Sequence, residues 1–387
     1  MKIGFIVTYF HPFKDGTENN CLYLARELAK KHEVHIFTSN KRNGVIIPEK
    51  EEIYQGLHIH RCKTLVRYKY YLTLDLDFIP KVMKYKLDIL HVHSIGFIQQ
   101  DIVVLLKKLF TKTKITNTPH GPFLAKDSYS IPIKILRWIY RGIEYPLNHW
   151  FYDTSIQVNT TQEDWMVKYG FKKSNIKFNP DGVPKDRLRK IDNRDFTKKY
   201  NLKNKFVISS LGRLLPYKSF DKIIYSLPEI IKNNKNVTYL CMGDDRGELK
   251  NLKNLAKKLK VEKHIIFTGE VSEDDKLKAL DISEIFLFPS EPGTEAFGIV
   301  TLEAMLRGNA VVASDTEGSL FLIKKENGFI YPYNEIKKLA EYTNLLIKNK
   351  ELRLKMQKAN IEKGKKYINE NIAWDHLEKI YREMLKK

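Results

Sequence analysis

Short runs of β-branched and aromatic residues recur along the chain at intervals filled by helix-length stretches whose apolar positions fall three and four apart. In the first half these runs are KIGFIVT (2–8), VHIFTS (34–39), DILHVHS (88–94), KITNTPHG (114–121) and SIQVNT (155–160). The second half repeats the rhythm with KFVISSLG (205–212), VTYLCMG (237–243), HIIFTG (264–269), IFLFPS (285–290) and NAVVAS (309–314). Strand and helix in strict alternation predict two doubly wound α/β domains with parallel sheets. The stretch 185–204, opening just after Pro184, is charged and poor in large apolar residues, so it reads as a linker. The expected organisation is a first domain over 1–184, a second over 205–371, and a last helix over 372–387 that packs back toward the first.

At 387 residues the chain exceeds what one hydrophobic core usually supports, which agrees with two domains. The three cysteines, Cys21, Cys62 and Cys241, are scattered and form neither a disulfide framework nor a zinc pattern. No apolar run reaches a membrane-spanning length and the N-terminus is too short in apolar residues for a signal sequence. A cytoplasmic protein is expected. The net charge of +21 admits nucleic acid, anionic membrane or phosphorylated small molecules as partners. No nucleic-acid-binding motif accompanies the charge, and the basic residues do not gather on an aromatic stacking platform, so nucleic acid is not expected as a partner.

Chemistry enters in the second half. In GRLLPYKSFD (212–221) a strand ends at Gly212, and Arg213 and Lys218 bracket a short loop that leads into a helix starting near Ser219. Two cations beside a helix N-terminus suit a phosphate group. In EPGTEAFGIVTLE (291–303) a loop follows the strand IFLFPS and a helix starts near Phe297, which places Glu295 in the loop and Glu303 two turns into the helix. Cations for a diphosphate together with carboxylates for sugar hydroxyls point to a nucleotide sugar as the ligand.

These stretches make the chain resemble a retaining glycosyltransferase of the GT-B fold, glycosyltransferase family 4. The matching motifs are DGTENNCLYLARELAKKHEVHIFTS (15–39), DILHVHS, TPHG, DGVP (181–184), GRLLPYKSFD, FTGEV (267–271) and FPSEPGTEAFGIVTLEAMLRGNAVVASD (288–315). The resemblance implies two Rossmann-like domains facing each other across a cleft. It also implies that Arg213 and Lys218 hold the donor diphosphate, that Glu303 takes the ribose hydroxyls and Glu295 the transferred sugar, and that Phe297, Gly298 and Ile299 supply amides. His120 and Gly16 would face the sugar and phosphates from the first domain, with His120, Glu295, Arg213 and Lys218 as the catalytic set. No metal or other cofactor is implied. The acceptor would be a glycan or a lipid-linked glycan. A nucleotide-sugar epimerase or hydrolase of the same fold would keep the same donor residues.

The chain departs from the family pattern at several positions. Asp15 stands at the first place of a usual Gly-Gly pair, Lys31 where Gly commonly precedes HEV, Asp245 at the second Gly of a usual Gly-Asp-Gly turn, and Glu317-Gly318 for a common Gly-Gly. Asp75 and Asp77 have Asp-x-Asp spacing in an apolar segment and are not read as metal ligands. His91 and His93 alternate as residues of a strand at the core's edge. The helix over 130–150 carries Lys134, Arg137 and Arg141 on one side, Ile135, Ile139 and Ile143 on another, and Trp138 at the boundary. Such a helix can rest on an anionic bilayer, which would make the protein peripheral to the membrane, and RYKYYL (67–72) adds a basic aromatic patch. The weightier reading is that its apolar side packs on the first domain's sheet.

Overall fold

A computed structural model describes the whole chain except residues 14–15, 43, 69–71, 121–130, 369 and 387, and omits the side chains of 67, 68, 72, 132, 133, 137 and 370–373. Asp15, most of the 67–72 patch and the side chain of Arg137 therefore lie outside the described residues. The chain forms two units, Met1–Gly182 with Asn369–Lys387, and Val183–Ile368.

In the second unit every expected β-prone run is a strand, because each is a short run rich in apolar and β-branched residues closed by Gly, Pro or Ser. The sheet order is Ile265–Gly269, Val237–Met242, Phe206–Leu211, Ile285–Phe288, Ala310–Ser314, Gly328–Tyr331, all parallel. Numbered along the chain this is 3-2-1-4-5-6, the doubly wound order whose direction reverses between the first and fourth strands. Ile208 and Ser209 pair with Ile285 and Phe286 at that reversal. Helices such as Phe220–Asn233 cover the sheet, burying Ile223, Ile224, Leu227 and Ile230.

The first unit holds an eight-stranded sheet in the order Ile176–Phe178, Thr154–Gln157, Lys114–Asn117, Ile89–Val92, Lys2–Ile6, Glu33–Ser39, Leu57–Cys62, Glu51–Tyr54. Only the last pairs antiparallel. The sequence pattern missed the two strands between residues 51 and 62, which are short and polar on one face. The final helix, Glu370–Lys386, packs Trp374, Leu377, Ile380, Tyr381 and Met384 into this unit's core with Phe5, Cys21 and Leu24.

Two expectations are corrected. Residues 185–204 are not a free connection: they carry a 3-10 turn (Lys185–Leu188) and a helix (Arg194–Lys199), with Arg187 and Phe196 buried within the second unit. Charge hid this, since a charged residue buries when it finds an opposite partner. The helix Ile131–Phe151 does not pack its isoleucines on the sheet. It is held by Tyr140, Glu144, Leu147, Asn148 and Phe151, while Ile135, Ile139, Ile143 and Trp138 point outward, Trp138 with 76% of its surface exposed. Periodicity gives the stripe but not the side from which the rest of the fold approaches it.

Candidate functional site

The switch point of the second sheet brings the two sequence motifs together. The loop after Phe206–Leu211 and the loop after Ile285–Phe288 leave neighbouring strands at their carboxyl ends, where ligands bind in open α/β sheets. A backbone bond from Glu291 N to Tyr217 O, 2.8 Å, ties the loops. Residues Pro216–Lys218 make one 3-10 turn, and Ser219, at φ 54°, turns the chain into the helix Phe220–Asn233. Lys218 Nζ donates to Glu295 Oε1, which also accepts from Ser290 Oγ at 3.4 Å. Arg213 Nη2 donates to the Tyr217 hydroxyl at 3.1 Å. The sequence places Arg213, Lys218 and Glu295 in one site; the fold pairs Lys218 with Glu295 and holds Arg213 in the same loop, on the Tyr217 hydroxyl.

Gly298 has φ 86°, a conformation that a side chain disfavours, and so starts the helix Ile299–Leu306 sharply. Thr301 N and Leu302 N bond to Gly298 O, at 2.9 and 3.1 Å, so the amides of Ile299 and Val300 precede the helical bonding pattern. Phe297 is not at the surface: its ring is buried, with centroids 5.8 Å from those of Phe321 and Tyr367. Its contribution to a ligand is through backbone. The departure at 317–318 has a physical basis. A Cβ at Gly318 would stand 2.4 Å from Phe297 O, so glycine is required there, whereas Glu317 uses its carboxylate to accept from Gly293 N at 3.0 Å. Asp245 similarly holds its turn by accepting from Gly247 N and Leu249 N, at 2.8 and 3.1 Å.

Glu303 lies in a charged network that the sequence does not reveal. It is only 2% exposed, and its Oε1 accepts from Arg187 Nε at 3.0 Å and Lys276 Nζ at 2.8 Å. Glu273 joins both cations, 2.5 Å from Arg187 and 3.0 Å from Lys276. Two buried cations and two carboxylates thus form one network. Sequence reading missed Arg187 and Lys276 because one sat in an assumed linker and the other on a charged helix face, and no local signal distinguishes them.

In the first unit Gly16 starts the helix Gly16–Ala29 at the surface, and a Cβ there would meet nothing within 4 Å. Space does not demand glycine at that position. His120 follows the strand Lys114–Asn117 with φ 53° and is buried, its Nε2 3.1 Å from His93 Nδ1. His93 stacks on His91 at 4.4 Å, and His91 bonds Tyr381 and Thr118 at 2.6 and 2.8 Å. Burial pulls His120 down to about 4 and, with the charge of His120 as a lesser cause, His91 down to about 3. Burial likewise holds His93 well below its usual value, so all three imidazoles are neutral near pH 7. His120 then acts as a neutral hydrogen-bonding group and not as a cation. Asp75 and Asp77 do not converge: Asp75 accepts from Ser39 and Thr64, at 3.0 and 2.6 Å, while Asp77 accepts from Lys63 N at 2.7 Å and pairs with Lys81 at 3.1 Å.

Comparison with known proteins matches both halves. Residues 14–187 fit the family model Glycosyltransferase Family 4, and residues 192–363 fit Glycosyl transferases group 1. An uncharacterized glycosyltransferase of Haemophilus influenzae is 33% identical over 197 residues, which is 50% of each chain. The capsular polysaccharide biosynthesis glycosyltransferase CapM of Staphylococcus aureus is 26% identical over 60% of this chain and 59% of its own. The matches thus span about half of these relatives' lengths. Among solved structures, HepE of Anabaena, in complex with UDP and glucose, superposes with a TM-score of 0.78 at 18% identity, covering 99% of this chain and 100% of that one. The two sheets, the strand order and both family models lead to one assignment: the chain belongs to the glycosyltransferases of the GT-B fold, with a Family 4 domain followed by a group 1 domain.

Proposed function

We propose that the protein moves a sugar from a nucleoside-diphosphate donor to a glycan or lipid-linked acceptor, with retention of anomeric configuration and without a metal ion. The observation that carries the reading is the Lys218–Glu295 pair at the second unit's switch point, with Arg213 in the same loop. A departing nucleoside diphosphate gains negative charge as the glycosidic bond breaks. Two fixed cations and the N-terminal amides of the helix Ile299–Leu306 oppose that charge in place, the role a divalent ion fills elsewhere. With a diphosphate bound, Lys218 exchanges its bond to Glu295 for the phosphate, and Glu295 becomes available to the sugar's hydroxyls. Retention follows from the family resemblance. CapM, a polysaccharide-building enzyme by name, and HepE, seen with UDP, support a glycan product and a uridine donor. The test is release of nucleoside diphosphate from a panel of UDP- and GDP-sugars, in chelator. Turnover of at least one donor is expected to persist. Loss of turnover in chelator, restored by Mg²⁺, would end the metal-free reading, and a product of inverted configuration would end the retaining one.

The partner surface is read from the helix Ile131–Phe151. Ile131, Ile135, Trp138, Ile139 and Ile143 are exposed opposite the residues that hold the helix, and Lys134 and Arg141 flank them. An apolar row with a tryptophan and a cationic border matches the interface of an anionic bilayer, so we place the protein on the cytoplasmic face of a membrane. Among the described residues no helix is long and apolar enough to cross a membrane. Charge reversal at Lys134, Arg137 and Arg141 should reduce binding to phosphatidylglycerol vesicles, each position contributing about 1 kcal/mol at low salt. Donor affinity should stay unchanged. Equal vesicle binding by variant and parent would overturn the membrane reading, as would a stable dimer that hides Trp138.

A further inference from the structure

Strand alternation gathers titratable groups on one face of the first unit's sheet, in a place the transfer reading does not use. Glu33 and His35 stand two apart on the strand Glu33–Ser39, and His58 and His60 two apart on its neighbour Leu57–Cys62, so all four side chains share a face. The antiparallel edge strand Glu51–Tyr54 sets Glu51 beside His60. His35 and His60 are each only 4% exposed. His35 Nδ1 lies 2.8 Å from His60 Nε2, and His35 Nε2 lies 2.9 Å from Glu33 Oε1. His60 Nδ1 contacts Glu51 Oε2 and, at 3.4 Å, the Tyr85 hydroxyl.

The chain Glu33–His35–His60–Glu51 has three contacts and needs one proton in each. Ionised carboxylates bring none, and neutral imidazoles bring one apiece. All three bonds therefore form only when the imidazole pair carries an extra proton. Without it, His60 Nε2–H donates to His35 Nδ1 and His35 Nε2–H donates to Glu33, which leaves the lone pair of His60 Nδ1 facing a carboxylate. Among the described residues the Tyr85 hydroxyl is the donor within reach of that lone pair. The Glu51 end is the one that yields. Lys2 Nζ holds Glu33 at 2.9 Å, whereas Lys81 Nζ is 3.7 Å from Glu51 and already serves Asp77 at 3.1 Å and Arg61 O at 2.7 Å. The Glu51 side chain is 55% exposed and is free to turn into water.

We propose that His60 Nδ1 is a proton-controlled clasp on the edge of the first sheet: carrying the extra proton it donates to Glu51 and fastens the strand Glu51–Tyr54, and without that proton it accepts from Tyr85 and releases Glu51. Burial pulls His60 and His35 below the usual imidazole value, against the pull of Glu51 and Glu33. The charges of Lys81 and of His58, which stacks on His35 at 5.1 Å, also oppose the extra proton. It therefore enters only below about pH 6.5, the ordinary imidazole value. Contact with Glu51 raises the affinity of His60 for a proton, so the clasp is closed in acid and opens as the pH rises through the pair's value. Stability of the whole fold runs the other way, since the unfolded chain takes up the same proton at higher pH.

The test is nitrogen NMR of the histidine rings in the full chain, titrated from about pH 8 to about pH 5 across the ordinary imidazole value. His60 Nδ1 should be unprotonated at the upper end and protonated at the lower. Glu51→Ala should lower the midpoint by about one pH unit, a tenfold loss of proton affinity, because the imidazolium loses its carboxylate. Tyr85→Phe should raise it, because the neutral form loses its donor. Damage to the fold would not shift the midpoint in opposite directions, and His264, in the second unit, should titrate alike in all three proteins. The amides of residues 51–54 should be about tenfold better protected from hydrogen exchange at the acid end, once the intrinsic pH dependence is removed, and Glu51→Ala should lose that difference. A His60 Nδ1 that keeps one protonation state throughout, shifts of the same sign in the two variants, or equal protection at both ends would each overturn the proposal.

Discussion

Replacing Lys218 or Arg213 by alanine should lower donor turnover by about ten- to a hundredfold while leaving the protein folded. Each substitution removes one charge-assisted hydrogen bond to a diphosphate, worth roughly 1.5–3 kcal/mol, and each 1.36 kcal/mol is about tenfold in rate. Arg213 and Lys218 lie in a loop at the strand ends and outside the second unit's hydrophobic core, so the fold should survive loss of either side chain. Lys218→Ala also leaves Glu295 without its ammonium partner, but that carboxylate keeps Ser290 and remains partly open to water. The double variant should fall short of the product of the two single effects, since both cations act on one diphosphate. Lys232→Ala, at the far end of the helix Phe220–Asn233, is the control and should leave turnover unchanged. Parent-like turnover in both single variants would remove the phosphate role from this loop.

Glu303→Ala should act the other way round, on stability before catalysis. The carboxylate neutralises Arg187 and Lys276 in a buried network, and its removal leaves two buried cations with one carboxylate fewer. Breaking a buried ion pair from one side costs about 3–5 kcal/mol, because the remaining charge stays desolvated. For a unit of this size that is a fall in melting temperature of roughly 6–20 °C. Lys276→Met combined with Glu303→Leu should recover much of the loss, since apolar groups of similar volume leave fewer unpaired charges behind. A thermal melt of Glu303→Ala matching the parent's, together with weakened UDP binding, would show that the glutamate serves the ribose alone. The resemblance to family 4 assigns Glu303 to the ribose, and both roles fit one side chain only if the network holds it in place for the ligand, which the melt and the binding measurement separate.

Features written in neighbouring residues were legible in the order of the chain. Short apolar runs ended by Gly, Pro or Ser became strands, and the strand, loop, helix order at 285–306 followed from Pro289, the left-handed Gly298 and the apolar face beyond it. Two parallel sheets came from the alternation alone. The loop 212–218 showed its cations because they stand seven positions or fewer from the end of the strand Phe206–Leu211, so a local reading contains the whole motif. Tertiary structure decided everything that depends on which distant residues meet. Arg187 lies 116 positions from Glu303, and only the packing of 185–188 against the helix Ile299–Leu306 turns a charged stretch into part of a buried network. The helix Ile131–Phe151 carries the same stripe of isoleucines whether it packs inward or outward, since a period of 3.6 fixes a face relative to the helix and not to the rest of the fold. Local dihedral preference and periodicity act over a few residues and so are legible in order. Burial, charge pairing and the direction of an amphipathic face are properties of the assembled core, and the chain acquires them only when that core forms.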